Sequence, residues 1–359
     1  MVERLFIGFV FINRNIRIFI NFVCMRKLLC FLITVLALVS SCKDHKRIDL
    51  TTLGPGVPTD SLYCRDPFIV PDATTKTYCL FRTSTTPEGL GGVEMFRSED
   101  LKTWYGPQRV LTVPEDNYLN GKIFAPEVHQ YQGKWYIFAT VNSDREWAES
   151  VEGWPKFTCR GTQIFHSGSL EGPFVPFSTE LTTPKDFMAL DGTFWEEDGV
   201  PYMIFCHEWV QILDGSFDLM PLKKDLSGPA GDPVTLFTAS EAPWISPAAF
   251  FTEPDGTKKP GYVSDGNFVF KTKDGELLIL WSSFKNGKYC VAISRSASGK
   301  IAGPWICDPE PIFEEDGGHP MVFKDFDGSL KLVFHQPNVG FSHPIILPVR
   351  DTGKTLEII

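Results

Sequence analysis

What the chain lacks narrows its class first. No CxxC pair occurs among its nine cysteines and no Cys/His cluster has zinc-site spacing, which disfavours a metal cage or a disulfide framework. Basic charge is scarce: 34 Lys and Arg stand against 44 Asp and Glu, a formal net charge of −10, with no basic stripe. That balance argues against nucleic acid as a partner and is compatible with a neutral sugar. Helical periodicity is also sparse. With 30 Gly, 27 Pro and 13% aromatic residues in a chain of 359, the composition favours an all-β fold large enough for one domain.

The first 42 residues read as a leader. Met25-Arg26-Lys27 supplies positive charge, Leu28 to Val39 an apolar run too short for a membrane span, and Ser40-Ser41-Cys42 a small-residue exit before the polar Lys43-Asp44-His45-Lys46. The pattern resembles a bacterial lipoprotein signal, which implies lipidation of Cys42 and anchoring in the cell envelope, on the periplasmic side or the outer surface. A plain secretory signal with an incidental cysteine is the alternative. Translation is expected to start at Met25. Residues 43–60, with Gly54-Pro55-Gly56-Val57-Pro58, read as a tether, and 61–359 as the folded domain, expected to be a monomer. Cys64, Cys79, Cys159, Cys206, Cys290 and Cys307 remain, three of them inside apolar runs, so buried free thiols are expected, with a single bridge as the alternative.

One unit recurs along the domain. Ala189-Leu190-Asp191-Gly192-Thr193-Phe194-Trp195 leads through Asp198-Gly199 into Tyr202-Met203-Ile204-Phe205-Cys206, the pattern of a β-hairpin. Similar hairpins begin at Asp66, Ala125, Asp265 and His319. Starts spaced roughly 55–75 residues apart indicate radial repetition, because one small sheet cannot bury both its faces alone. Gly106-Pro107, Gly172-Pro173 and Gly303-Pro304 follow a further strand in three units, as suits the outer edge of a blade, where no partner needs the missing N–H. The expectation is a single-domain five-bladed β-propeller; a β-sandwich with chance Gly-Pro turns is the alternative. A WD-type interaction propeller is disfavoured, since its Gly-His and Trp-Asp signatures are missing.

In a propeller the first strand of each blade lines the central channel, so the hairpin starts converge at one mouth. Carboxylates gathered there suit glycoside hydrolysis, in which a charged one activates water and a protonated one serves the leaving oxygen. A lone Asp before Gly or Pro is more often a turn residue; its repeated position points to the site instead.

Arg65-Asp66-Pro67-Phe68-Ile69, Phe124-Ala125-Pro126-Glu127-Val128, Leu190-Asp191-Gly192-Thr193-Phe194, Ser240-Glu241-Ala242-Pro243-Trp244 and Gly317-Gly318-His319 together resemble the ordered motifs of glycoside hydrolase family 43. The resemblance implies a five-bladed propeller and an inverting glycosidase. An exo-acting α-L-arabinofuranosidase leads, with a β-xylosidase or galactan-directed enzyme, or a non-catalytic glycan-binding propeller, as alternatives. It makes Asp66 the general base, Asp191 the modulator of the acid's pKa and Glu241 the general acid. Asp265 is the alternative acid, because Asp265-Gly266-Asn267 and not Glu241 opens the fourth hairpin. No cofactor is required; His319 is expected near the channel base, facing a structural Ca²⁺ through water or simply satisfied by backbone carbonyls. Phe124, Trp244 and Phe68 are candidate stacking walls for a sugar, and His207 and Glu208 candidate pocket residues. The loop Asn142 to Lys156 is expected to tune specificity.

Overall fold

In the computed structural model, which describes residues 48–147 and 154–359, five antiparallel sheets follow one another along the chain, each in sequential strand order. Blade I comprises Phe68–Asp72, Thr77–Thr85, Gly91–Ser98 and Thr103–Thr112. Blade II comprises Ile123–Tyr131, Lys134–Glu146, Thr158–Ser167 and Val175–Pro176. Blade III runs Ala189–Glu197, Val200–His207, Ser216–Pro221 and Val234–Thr238, and blade IV Asp265–Lys271, Leu277–Lys285, Lys288–Ser296 and Trp305–Cys307. Blade V runs Gly318–Lys324, Leu330–Gln336, His343–Asp351 and Leu356–Ile358. The inner strand of each blade packs on that of the next, and the inner strand of blade V on that of blade I, so the five form a closed ring: a five-bladed β-propeller.

The second strands explain why the sheets must stack. Tyr78–Phe81, Met203–Cys206 with Tyr202 half-buried, and Leu277–Trp281 are apolar on both faces, and nearly every one of these side chains is buried. A strand apolar on both faces is stable only between two layers. The hairpins that feed them turn where the sequence says: Gln132-Gly133 and Asp198-Gly199 both have two consecutive positive φ angles, as a tight primed turn demands. Gly106-Pro107 lies within the outer strand of blade I, and Gly172-Pro173 and Gly303-Pro304 lead into the outer strands of blades II and IV.

Among the described residues no strand is shared between the two ends of the ring. Blade V is built entirely from the last strands of the chain, and it is held to blade I by Cys64 N–H donating to Ser342 O at 2.9 Å, by Arg65 bonding the backbone and side chain of Asn338, and by Tyr78 Oη bonding Asp325. The segment expected to be a tether is structured from Ile48 onward. Leu50 is buried, and Val57–Pro58 pairs with Trp104 and Thr103 as a fifth, outermost strand of blade I, so the folded region begins upstream of Ser61. Val57 has an apolar side chain to bury and an unpaired outer strand within reach; neither fact is visible in a Gly-Pro-rich sequence.

The six cysteines of the domain are free thiols, five of them buried. The expected leader, Cys42 included, lies outside the described residues, as does part of the Asn142 to Lys156 loop. Among the described residues no helix is long and apolar enough to cross a membrane. Between blades III and IV the chain adds a small hairpin, Ala249–Thr252 paired with Lys258–Gly261.

Candidate active site

Each inner strand enters the channel through the same backbone device. Asp66, Ala125, Asp191, Gly266 and His319 have φ of 50, 46, 54, 54 and 60°, all in the left-handed region. In blades II to V the pairing with the second strand skips one residue there, a β-bulge that turns the head of the strand. Non-glycine residues in this conformation cost of order 1 kcal/mol or more, and such strain gathers at functional sites. The repeat thus aligns Gly266, not Asp265, with Asp66 and Asp191. Asp265 precedes the bulge, as Leu190 does in blade III.

Two histidines flank Asp66. His335 Nδ1 lies 3.2 Å and His319 Nδ1 3.4 Å from Oδ1, and His335 Nδ1 is also 3.3 Å from the Asp66 amide nitrogen. Burial alone would push this carboxyl up, but His319, His335 and Arg65 together outweigh it and hold Asp66 well below the usual carboxylate range. It is therefore charged at any working pH.

Asp191 is driven the other way. Burial, the charge of Asp265 and a hydrogen bond with Asp265 hold its carboxyl well above the ordinary value, despite the Gly266 N–H that donates to Oδ2 at 3.0 Å. Its backbone is fixed on both sides, with N–H donating to Thr140 Oγ1 at 2.9 Å and C=O accepting from Asn267 Nδ2 at 2.6 Å. Asp265 in turn accepts the Tyr289 hydroxyl at 2.5 Å, so two donors, Asp191 and Tyr289, converge on it.

Glu208 completes the set. It directly follows the second strand of blade III, and because Ala189 pairs with His207 it stands at the same mouth as Asp191. Burial pushes it up to about 7, helped by the charge of Asp265 and opposed by Arg160, whose Nη1 lies 2.8 Å from Oε2 in a direction that makes no hydrogen bond. A carboxyl in that state holds a proton to near neutrality and can give it up.

Asp191, Asp265 and His319 bring ligand atoms within 4.8 Å of one another. They do not fit Ca²⁺ as a direct cage: two carboxyls and an imidazole fall short of the six to eight oxygens it takes, and a proton shared between the carboxyls already offsets their repulsion. His319 Nδ1 faces Asp66 and, at 3.8 Å, Asp191.

The other expected residues separate. Glu241 is not at the mouth: it is exposed in the short turn Ala239–Glu241 beyond the outermost strand of blade III, and its Oε1 accepts the Thr238 N–H at 2.9 Å as half of a capping box. Three strand spacings of about 4.8 Å separate that edge from the inner strand. Trp244 is buried, its ring 5.2 Å from Trp281, and serves the core between blades III and IV, not a sugar face. Phe68 is likewise buried, edge-on to His129. Phe124 is 38% exposed just before the blade II bulge, where a sugar could reach it. His207 stacks on Phe187 and its Nε2 is 2.8 Å from Gln211 Oε1, which fixes the wall beside Glu208. Sequence reasoning missed Arg160, Tyr289 and His335. His335 had a signal, since it is the next-to-last residue of its second strand, one position from where His207 stands in blade III; Tyr289 and Arg160 sit in ordinary third-strand contexts and had none.

A propeller whose channel mouth carries buried carboxyls in opposite protonation states has the equipment of a glycosidase. The chain belongs to glycosyl hydrolases family 43, whose family model matches residues 57–354. It is 38% identical to an endo-arabinase from Bacteroides thetaiotaomicron, with a TM-score of 0.70 over 83% of this chain and 99% of that one. An α-L-arabinofuranosidase from Lactobacillus brevis shares the fold at 18% identity, with a TM-score of 0.62 over 83% of this chain and 96% of that one. The extracellular exo-α-(1→5)-L-arabinofuranosidase of Streptomyces avermitilis is 26% identical over 64% of this chain and 48% of its own length. The α-L-arabinofuranosidase 43 of Humicola insolens is 25% identical over 60% and 43%. The chain spans about half the length of these two curated relatives.

Proposed function

We propose that this protein hydrolyses α-L-arabinofuranosidic bonds of plant cell-wall polysaccharides in a single displacement that inverts the anomeric centre. The observation that carries the chemistry is the pairing at one mouth of an Asp66 held charged with a Glu208 held protonated to near neutrality. Asp66 takes a proton from water as the water oxygen bonds the anomeric carbon. Glu208 gives its proton to the glycosidic oxygen as that bond breaks, and solvent resets both groups. Asp265 contributes the negative charge that keeps the Glu208 proton in place, and Asp191 and Tyr289 fix Asp265. No step passes through a metal. The sugar rests on the names of the relatives, which include both exo- and endo-acting arabinose-specific enzymes.

The test is kinetic. Asp66→Asn removes hydrolysis of every substrate, since an amide takes no proton from water. Glu208→Gln is strongly impaired on natural linkages but largely restored on an aryl arabinofuranoside whose leaving group needs no proton, whereas Asp265→Asn is impaired on both. The reverse pattern would make Asp265 the acid. A first-formed sugar product that retains its configuration would end the single-displacement reading.

We further propose that the enzyme acts as a monomer at the cell envelope, held by lipid on Cys42. The sequence pattern around that cysteine is the support.

A further inference from the structure

On the Asp66 side of the mouth an apolar surface is left open. Tyr63 is 47% exposed, Val339 80% and Phe341 54%, and the Tyr63 and Phe341 rings lie 5.7 Å apart at 59°. The loop that carries Val339 and Phe341 joins the second and third strands of blade V. Since Gly318 pairs with His335 and Gln336 with His343, that loop projects from the end where the inner strands begin, the mouth.

The surface is held in place. Arg65, next to the base, bonds both the backbone and the side chain of Asn338. Cys64 N–H donates to Ser342 O, Ser342 Oγ donates to Pro337 O at 2.8 Å, and Arg82 fixes the Tyr63 carbonyl at 2.7 Å. Exposed aromatic rings on a backbone pinned from both sides are a preorganised contact face, which binds without first losing loop entropy. The face is continuous with the site: Tyr63 is three residues from Asp66, and Phe341 lies in the loop that leaves His335, the partner of Asp66.

We infer that Tyr63 and Phe341 form a shelf that stacks on the C–H face of a second sugar unit of the substrate chain. The proposed acid, Glu208, is on blade III, so the leaving part of the substrate departs on that side, and a unit on the shelf at blades V and I belongs to the part that keeps the attacked carbon. An enzyme that removed single terminal units would have no use for contacts there. The shelf therefore favours binding within a chain, in contrast to the exo-acting expectation. This inference rests on the glycosidase reading above.

The experiment measures kcat/KM of the full chain on an aryl arabinofuranoside and on linear α-1,5-arabino-oligosaccharides of increasing length, for the native protein, Tyr63→Ala, Phe341→Ala and the double variant. The native protein gains with chain length. The variants lose about tenfold in the ratio of tetrasaccharide to aryl-glycoside kcat/KM, through KM, as expected for one ring-on-sugar contact. No gain with length in the native protein, or an equal loss on both substrates, overturns the shelf. If the native protein turns over neither arabinose substrate, the sugar assignment has failed; binding of arabino- and xylo-oligosaccharides to Asp66→Asn with and without the two substitutions then decides the shelf, which is refuted if affinity is unchanged for both. Loss of self-association in the double variant, with unchanged sugar binding, would refute it in favour of a second copy of the chain.

Discussion

The Asp66 carboxylate sits between His319 and His335, and Glu208 sits in a dry wall with one arginine set at a poor angle; the two groups therefore answer pH in opposite ways. Asp66 stays charged well into acid, so it sets no acidic limb in the working range. As the proposed acid, Glu208 must be protonated to act, so kcat/KM falls as pH rises through about 7. Arg160 opposes the raised value and Asp265 supports it. Arg160→Met should therefore move the alkaline limb to higher pH and Asp265→Asn should move it lower, both read from pH profiles on one substrate. Stability follows the same signs. The folded-state value of Glu208 lies above its ordinary 4.5, so its contribution is whole below that pH and is lost as pH rises toward 7; Asp66, depressed, contributes above its ordinary 3.8 and loses that contribution only in stronger acid.

At the scale of the strand, the bulge matters more than the residue it carries. Five inner strands share the left-handed head, and blade IV fills it with Gly266 because a Cβ there would stand 2.7 Å from His319 Cα and 2.8 Å from its ring. Gly266→Ala meets both the backbone cost and that contact, so it should lower stability by about 1–2 kcal/mol or more. It should also push His319 off Asp66, which a urea titration and the acidic side of the pH profile would report together. Unchanged stability would mean the ring yields more easily than the geometry says. The hairpins, their turns and the Gly-Pro edges were legible in the sequence because period and turn chemistry are local. The blade IV alignment was off by one, since an Asp in front of a Gly looks like the Asp-Gly of blade III until the bulge position is seen.

At the scale of the whole molecule, the ring turns residues far apart in sequence into neighbours. Asp66 meets His335 across the closure between the first and last blades, and Asp191 meets Asp265 across two adjacent ones. Glu241 was the natural choice for the acid from its motif, yet it caps its own turn at a blade's outer edge, while Glu208 reaches the mouth. The proposed lipid anchor at Cys42 has its own test. Cys42→Ser should release the protein from the membrane fraction into the soluble fraction without changing kcat. Retention on the membrane would show that the anchor is elsewhere.

The sequence alone determined the five-fold repetition, the all-β class, the family and the place of Asp66 and Asp191 at the heads of inner strands, because hydrophobic period, turn residues and motif order are written along the chain. Only the tertiary structure decided which carboxyls meet and which of them keeps a proton. Those depend on desolvation and on charges supplied by other blades, and neither exists until the ring has closed.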